Sequence, residues 1–364
     1  MQLVATVHRR RAALLLAILI VLVGSVWDIR AAFPLASVIA AGGLIWPPRK
    51  WWRWPMAASV VAGGLLWASL DQSGCSVWLR SRIAAQKLLG NLPYVGWSDI
   101  ARNVLKPCAT WEKPDPRTAE RVLRLDQKTV GGRELELYQT DLGRFWIPAP
   151  GRHLLTFLLW ELTVQHDYES GEIVIRPGDT VIDCGAHVGT FSRFALQRGA
   201  KRVVAIEPDP DNLTCLEANF AREIANETLV LVKAGVWDTQ THLKLWERRD
   251  GNSGGNSLVV PLGKGVAIEN VPLLPLDDIV TQLRLERVDF VKMDIEGAER
   301  HALWGAQQTL KRFRPRMAIS AYHLADDGRV IPLLVKKLQP AYQITAKDID
   351  PFREDVRAKV LFFY

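Results

Sequence analysis

Val181-Ile182-Asp183-Cys184-Gly185-Ala186-His187-Val188-Gly189-Thr190-Phe191 reads as a buried strand that ends in a small-residue turn and opens a helix. Small residues let a ligand approach the backbone closely, and the start of a helix leaves N–H donors unpaired. A dinucleotide site places a pyrophosphate on that helix terminus and uses a fuller G-x-G-x-x-G. This turn has only G-x-x-x-G, and an acid, Asp183, stands at the strand end. A carboxylate repels pyrophosphate and attracts a cation. The turn therefore suits a sulfonium amino acid with its ammonium group better than a nucleoside diphosphate.

Outward from this turn, strand and helix patterns alternate. Strands are expected over 180–185, 202–207, 229–236, 288–294 and 317–322, then over 342–345 and 359–364. Helices are expected over 189–198, 211–224, 299–313 and 330–338. Residues 241–247 and 257–260 look like a hairpin insertion joined by a glycine-rich loop at 250–256. Upstream, 134–139 and 143–148 form a hairpin, and 154–162 a helix. Such alternation implies an α/β domain with a mostly parallel sheet and helices on both faces.

Two further motifs follow. Glu207-Pro208-Asp209 ends the second parallel strand, 24 residues after Asp183. A carboxylate there can accept both ribose hydroxyls of an adenosine. Val288-Asp289-Phe290-Val291-Lys292-Met293-Asp294-Ile295-Glu296-Gly297-Ala298-Glu299 places carboxylates at the C-terminal end of another buried strand, where open α/β sheets bind ligands.

Taken in this order and spacing, 183–191, 205–213 and 288–299 resemble the FkbM family of S-adenosylmethionine-dependent methyltransferases. The Gly255-Asn256-Ser257 loop, the run at 271–276 leading to Asp277-Asp278, and Gly305-Ala306 extend the likeness, which covers about residues 134–364. It implies a Rossmann-like class I methyltransferase fold with a seven-stranded sheet, and S-adenosyl-L-methionine as cofactor. Asp183, Gly185, Ala186 and Gly189 then line the methionine part of the cofactor, and His187, which replaces an Asn of many relatives, and Thr190 belong to the same cofactor-binding set. Glu207 binds the ribose, Pro208 and Asp209 shape the adenine edge, and Asp294 and Glu296 sit beside the sulfonium and the acceptor. The resemblance implies O-methylation of a hydroxyl, as on sugars and polyketides, and the membrane tether expected below narrows the leading acceptor to a sugar, glycan or lipid-linked molecule.

Methyl transfer to an alcohol is an in-line displacement that also needs a proton removed. Asp294 and His323 are the candidate bases, and Glu296 and Glu299 are candidate hydroxyl ligands or partners of Lys292 and Arg300. Asp294 and Glu296 are the carboxylates a divalent cation would use, but no third ligand is evident, so no metal is expected. Two rival readings are a nucleotide-cofactor oxidoreductase of the NAD type and an inactive membrane-anchored scaffold that still binds S-adenosylmethionine. The first lacks a complete glycine fingerprint and the second is at odds with intact Asp183, Gly185, Glu207 and Asp294.

Composition adds a second part to the chain. Residues 1–74 hold seven Lys/Arg against Asp28 and Asp71, so most of the formal charge of +7 lies there. A nucleic-acid-binding domain would carry that excess on its own folded surface, so no nucleic-acid partner is expected. Apolar runs at 12–27, 31–46 and 56–70 are punctuated by Arg9-Arg10-Arg11 and by Arg49-Lys50-Trp51-Trp52-Arg53-Trp54. Basic and Trp flanks are those of membrane helices. The chain is thus expected to divide into an anchor in membrane lipid (1–74), a juxtamembrane helix near 77–92 with a linker at 106–117 (together 75–130), and the methyltransferase domain (131–364). Both basic clusters favour the cytoplasmic side, and two crossings with a third, interfacial run keep the catalytic domain cytoplasmic. Cys75, Cys108, Cys184 and Cys215 form no CxxC pair, and the last two suit buried positions.

Overall fold

A computed structural model describes residues 77–105, 114, 116–247, 253–259, 266–350 and 357–364. The three apolar runs, Cys75, Cys108 and most of the 106–117 linker lie outside the described residues. Among the described residues no helix is long and apolar enough to cross a membrane. The chain divides into two units. In the smaller, helices α1 (Val77–Leu88) and α2 (Trp97–Leu105) are formed, the first within the expected 77–92 stretch.

The larger unit opens with α3 (Pro116–Glu120) and an antiparallel meander of β1 (Leu123–Val130), β2 (Arg133–Thr140) and β3 (Gly143–Pro148). The sequence reading misses β1 because every one of its residues is exposed, so no buried face imposes an alternation. Helix α4 (Arg152–Trp160) follows, with a π-type turn over Glu161–Gln165. The central succession is β4 (Thr180–Cys184), α5 (Thr190–Gln197), β5 (Arg202–Ile206), α6 (Pro210–Asn219), α7 (Ala221–Ala225) and β6 (Leu229–Val232). Strands β7 (Gly235–Trp237), β8 (Thr241–Glu247) and β9 (Val266–Pro275) come next, then α8 (Leu276–Gln282) and β10 (Phe290–Met293). The chain ends through α9 (Glu299–Trp304), α10 (Gln307–Phe313), β11 (Arg316–Ser320), α11 (Asp327–Leu338), β12 (Ile344–Asp350) and β13 (Arg357–Phe363).

Seven strands form one sheet in the order β12-β13-β11-β10-β4-β5-β6, with β13 antiparallel to both neighbours. The four strands β4, β5, β10 and β11 are almost wholly buried, as continuous apolar runs in a parallel sheet require. The chain leaves β4 toward β5 and β6 on one side and later returns to β10 and β11 on the other. Right-handed crossovers in opposite directions place helices on both faces and open a crevice beyond the C-terminal ends of β4 and β10.

Three expectations are corrected. The single strand over 229–236 is two strands in different sheets, because the backbone bends at Lys233-Ala234, where Ala234 N donates to Val232 O. The hairpin partner of β8 is β9, and Ser257 contributes only an isolated bridge to Trp246. Pro272 and Pro275 disguise β9 as a loop, although Val271 and Leu273 are buried. The helices over 211–224 and 299–313 each break in two, at Phe220 and at Gly305-Ala306. Gly305 is forced there by space: a Cβ would lie 2.0 Å from the Trp237 carbonyl oxygen at the end of β7. Replacing Gly305 by Ala is therefore expected to lower stability by about 1–3 kcal/mol. Urea denaturation measures this, and an unchanged midpoint would contradict the packing argument.

Candidate active site

The crevice at the ends of β4, β5 and β10 spans about 540 Å³, part of it open to solvent, and is lined by Gly185, His187, Glu207, Pro208, Asp294 and Glu296, among others. Six of the residues named from sequence thus meet in one cleft. Asp183, Ala186, Gly189, Thr190 and Asp209 lie buried behind its wall.

Asp183 is fully buried, 3.2 Å from Lys292 Nζ, and accepts the Ser192 hydroxyl at 2.7 Å. Lys292 also donates to the Gly185 carbonyl at 2.7 Å. One cation thus ties β10 to the turn after β4, and the acid that looks free in the sequence is already neutralised. Burial raises the Asp183 carboxyl while Lys292 opposes it; burial lowers the Lys292 ammonium, but Asp183 and Asp294 outweigh it and hold it above its ordinary value. Gly185 has φ +78, and a Cβ there would lie 2.1 Å from the Asp294 carbonyl oxygen, so the turn and the end of β10 touch backbone to backbone.

Glu207 follows β5. Its Oε2 accepts His187 N at 2.8 Å, and its Oε1 accepts Asp209 N at 3.0 Å and Asn212 Nδ2 at 3.3 Å. Asp209 caps α6 by accepting from Asp211 N and Asn212 N, and its other oxygen accepts Asn256 Nδ2 at 2.7 Å. Residues 253–257 form one wall of the cleft: Ser253 Oγ lies 2.8 Å from His187 Nε2, and Ser257 Oγ donates to the Glu296 carbonyl at 2.7 Å. Burial pushes the His187 imidazole down to about 3, so the ring is neutral.

Beyond β10 the charge is dense. Asp294 Oδ2 accepts the Tyr168 hydroxyl at 2.7 Å, and Asp294 Oδ1 lies 3.4 Å from His323 Nε2. Glu296 Oε1 is 3.5 Å from the same nitrogen, and Glu299 Oε1 is 2.9 Å from His323 Nδ1. Burial alone would lower the His323 pKa, but Glu299 and Glu296 outweigh it and hold it well above the ordinary value. Arg300 pairs with Asp326 and Asp327, so it is not the partner of Glu299 that the sequence suggests. Tyr168, in a turn outside the motifs, and Ser253, in the glycine-rich loop, escaped as site residues because the partners they reach, Asp294 and His187, lie far away in the sequence. Asp277 turns out to cap α10, accepting from Gln308 N and Thr309 N.

The lining fits an adenosylated sulfonium. Ile206, Pro208, Val236, Leu245 and Leu258 offer apolar surface to a base, Glu207 offers oxygens to ribose hydroxyls, and Asp294 and Glu296 face the far end. No Lys or Arg lines the cleft among the described residues, so nothing there answers a pyrophosphate.

Burial also pushes the Glu207 carboxyl up to about 7, with Asp209 adding repulsion. A carboxyl whose folded pKa exceeds its unfolded value stabilises the fold below the unfolded value, near 4.5, and that contribution is lost as pH rises through about 7. Between pH 5 and 8 the ligand-free protein should lose melting temperature, and Glu207→Gln should flatten that slope. Parallel slopes in thermal scans of the two proteins would count against a titrating Glu207.

Residues 183–345 match the methyltransferase FkbM domain. The chain is 27% identical over 207 residues to the 31-O-demethyl-FK506 methyltransferase FkbM of Streptomyces tacrolimicus, covering 49% of this chain and 79% of that one. It is 26% identical over 182 residues to methyltransferase sdnD of Sordaria araneosa, covering 42% and 69%. It is also 26% identical to the AMB antimetabolite synthetase AmbE of Pseudomonas aeruginosa, a match that spans 41% of this chain but only 9% of AmbE. A crystal structure of methyltransferase FkbM from Methylobacillus flagellatus aligns with a TM-score of 0.39 at 22% identity, over 68% of this chain and 57% of that one. With its three motifs gathered at one cleft within the matched region, the chain carries a methyltransferase FkbM domain over residues 183–345.

Proposed function

We propose that the chain transfers the methyl group of S-adenosylmethionine to a hydroxyl of a sugar, glycan or lipid-linked acceptor. The observation that carries the cofactor reading is the lining: apolar walls, carboxylates at both ends, and no cation among the described lining residues. S-adenosylmethionine supplies a methyl group on a cationic sulfur, which leaves as a neutral thioether after displacement. Glu207 would bind the ribose, and Asp294 and Glu296 would balance the positive end and orient the acceptor oxygen for in-line attack. Glu296, partly exposed, is the carboxylate better placed to take the hydroxyl proton. His323, held among Asp294, Glu296 and Glu299, then works as a positioning residue for Asp294 and Glu296.

An oxygen acceptor is supported by the name of the Streptomyces tacrolimicus relative, a 31-O-demethyl-FK506 methyltransferase. Membrane attachment is supported by the apolar runs at 12–27, 31–46 and 56–70 with their basic flanks, which also favour a cytoplasmic catalytic domain. An acceptor held at a membrane surface fits that tether.

Calorimetry with S-adenosylmethionine and with NAD tests the cofactor. Binding of S-adenosylmethionine alone is expected, and Glu207→Ala should weaken it by roughly tenfold or more, the value of a hydrogen bond to a charged group. Binding of NAD alone, or of neither, would sink the reading. Incubating membranes with methyl-labelled S-adenosylmethionine should label a lipid-linked or glycan fraction. Glu296→Gln should cut that transfer by on the order of a hundredfold with cofactor affinity retained. Label confined to protein would refute the acceptor class.

A further inference from the structure

Three acidic side chains converge on one imidazole at the acceptor end of the cleft, and their oxygens are not all satisfied. Glu299, the first residue of α9, is fully buried; its Oε1 accepts Ile295 N at 3.0 Å and lies 2.9 Å from His323 Nδ1. Its Oε2 is buried without a hydrogen-bond partner. Asp294 Oδ1 is likewise buried, and although it lies 3.4 Å from His323 Nε2 the alignment is not that of a hydrogen bond. Both ring nitrogens of His323, a buried residue, also lack an aligned partner despite these short distances.

Charge makes the same point. Lys292 is engaged by Asp183 and by the Gly185 carbonyl. Asp183, Asp294, Glu296 and Glu299 are thus set against Lys292 and His323, which leaves two negative charges uncompensated in this group even when the ring is protonated. Buried carboxylates are costly unless paired or bound to metal, and an unsatisfied buried oxygen calls for a missing ligand.

We propose that Asp294, Glu299 and His323 bind a divalent metal cation at the acceptor end of the cleft. One donor atom from each residue lies within 4.8 Å of the other two. A first-row cation about 2.1 Å from each ligand holds cis donors roughly 3 Å apart, so modest side-chain rotation closes the sphere. Two carboxylates with one imidazole suit Mn²⁺ better than Mg²⁺, which favours oxygen alone. Binding displaces the proton from the imidazole, as metal ligation requires. Glu296 stands beside the site, 3.5 Å from His323 Nε2. Glu299 and His323 are the ligands beside Asp294 that the sequence did not reveal. A cation there also activates an acceptor hydroxyl that coordinates it; that use rests on the methyltransferase reading, whereas the site itself does not.

The full chain in detergent, stripped with chelator, can be titrated with MnCl₂ while electron paramagnetic resonance reads free Mn²⁺. One Mn²⁺ per chain is expected, with the ¹⁴N coupling of a single imidazole in pulsed spectra. His323→Asn should abolish that coupling, and both it and the isosteric Glu299→Gln should weaken binding roughly tenfold or more. No Mn²⁺ bound by the wild type, no ¹⁴N coupling, or undiminished binding in either variant overturns the site. Calorimetry with S-adenosylmethionine on the same stripped protein separates the two readings. Cofactor binding without Mn²⁺ binding rejects only the metal, and Mn²⁺ binding without cofactor binding rejects only the methyltransferase reading.

Discussion

The buried pair of Lys292 and Asp183 is the interaction on which the site depends. Strands β4 and β10 lie side by side only because the chain reverses its direction of travel across the sheet at that point. Hydrogen bonds of the ladder fix their register, but they do not fix what happens past their ends. Lys292 does this by reaching to Asp183 on β4 and to the Gly185 carbonyl just beyond it. A lone buried ammonium or carboxylate at this depth would cost several kcal/mol. Paired, each makes the other tolerable, and removal of either leaves an uncompensated charge under the floor of the cleft. With the turn held, Gly185 can press against the Asp294 carbonyl, and the carboxylates of Asp294 and Glu296 emerge at one edge while Glu207 emerges at the other.

Much of this was legible in the sequence because it is local. Strand, turn and helix at 180–198 follow from an apolar run, two glycines and a helical pattern, and Glu207 is recognisable because it ends the next strand. The order of the parallel strands follows from the handedness of their crossovers once the switch after β6 is granted. The failures share a cause. β1 buries nothing, so it leaves no periodicity, and β9 buries Val271 and Leu273 behind two prolines that mark turns elsewhere. The break at Gly305 is set by the carbonyl of Trp237, a neighbour brought close only by folding.

The same distinction divides the candidate site. Motif residues that contact a ligand through strand ends could be named from spacing. The partners that set their charge could not. Tyr168 reaches Asp294 across 126 residues of chain, and Glu299 meets His323 from a different helix start and strand end. Asp183 shows the consequence: read alone it is an acid facing a ligand, whereas folded it is one half of an ion pair behind the wall. The preference for a cationic ligand survives, but it passes from Asp183 to Asp294 and Glu296.

The wall formed by residues 253–257 has a meaning for binding. It is bonded to His187 beyond β4, to Asp209 at the head of α6 and to the backbone of Glu296 beyond β10. These anchors sit on three separate elements around the cleft, so the wall cannot swing away from one of them while resting on the others. Ser257 also exchanges two backbone bonds with Trp246, and Asn212 Nδ2 donates to the Ser253 carbonyl, so detachment of the wall would break all of these together. The cleft thus presents this side already formed, so a ligand does not have to order it on binding.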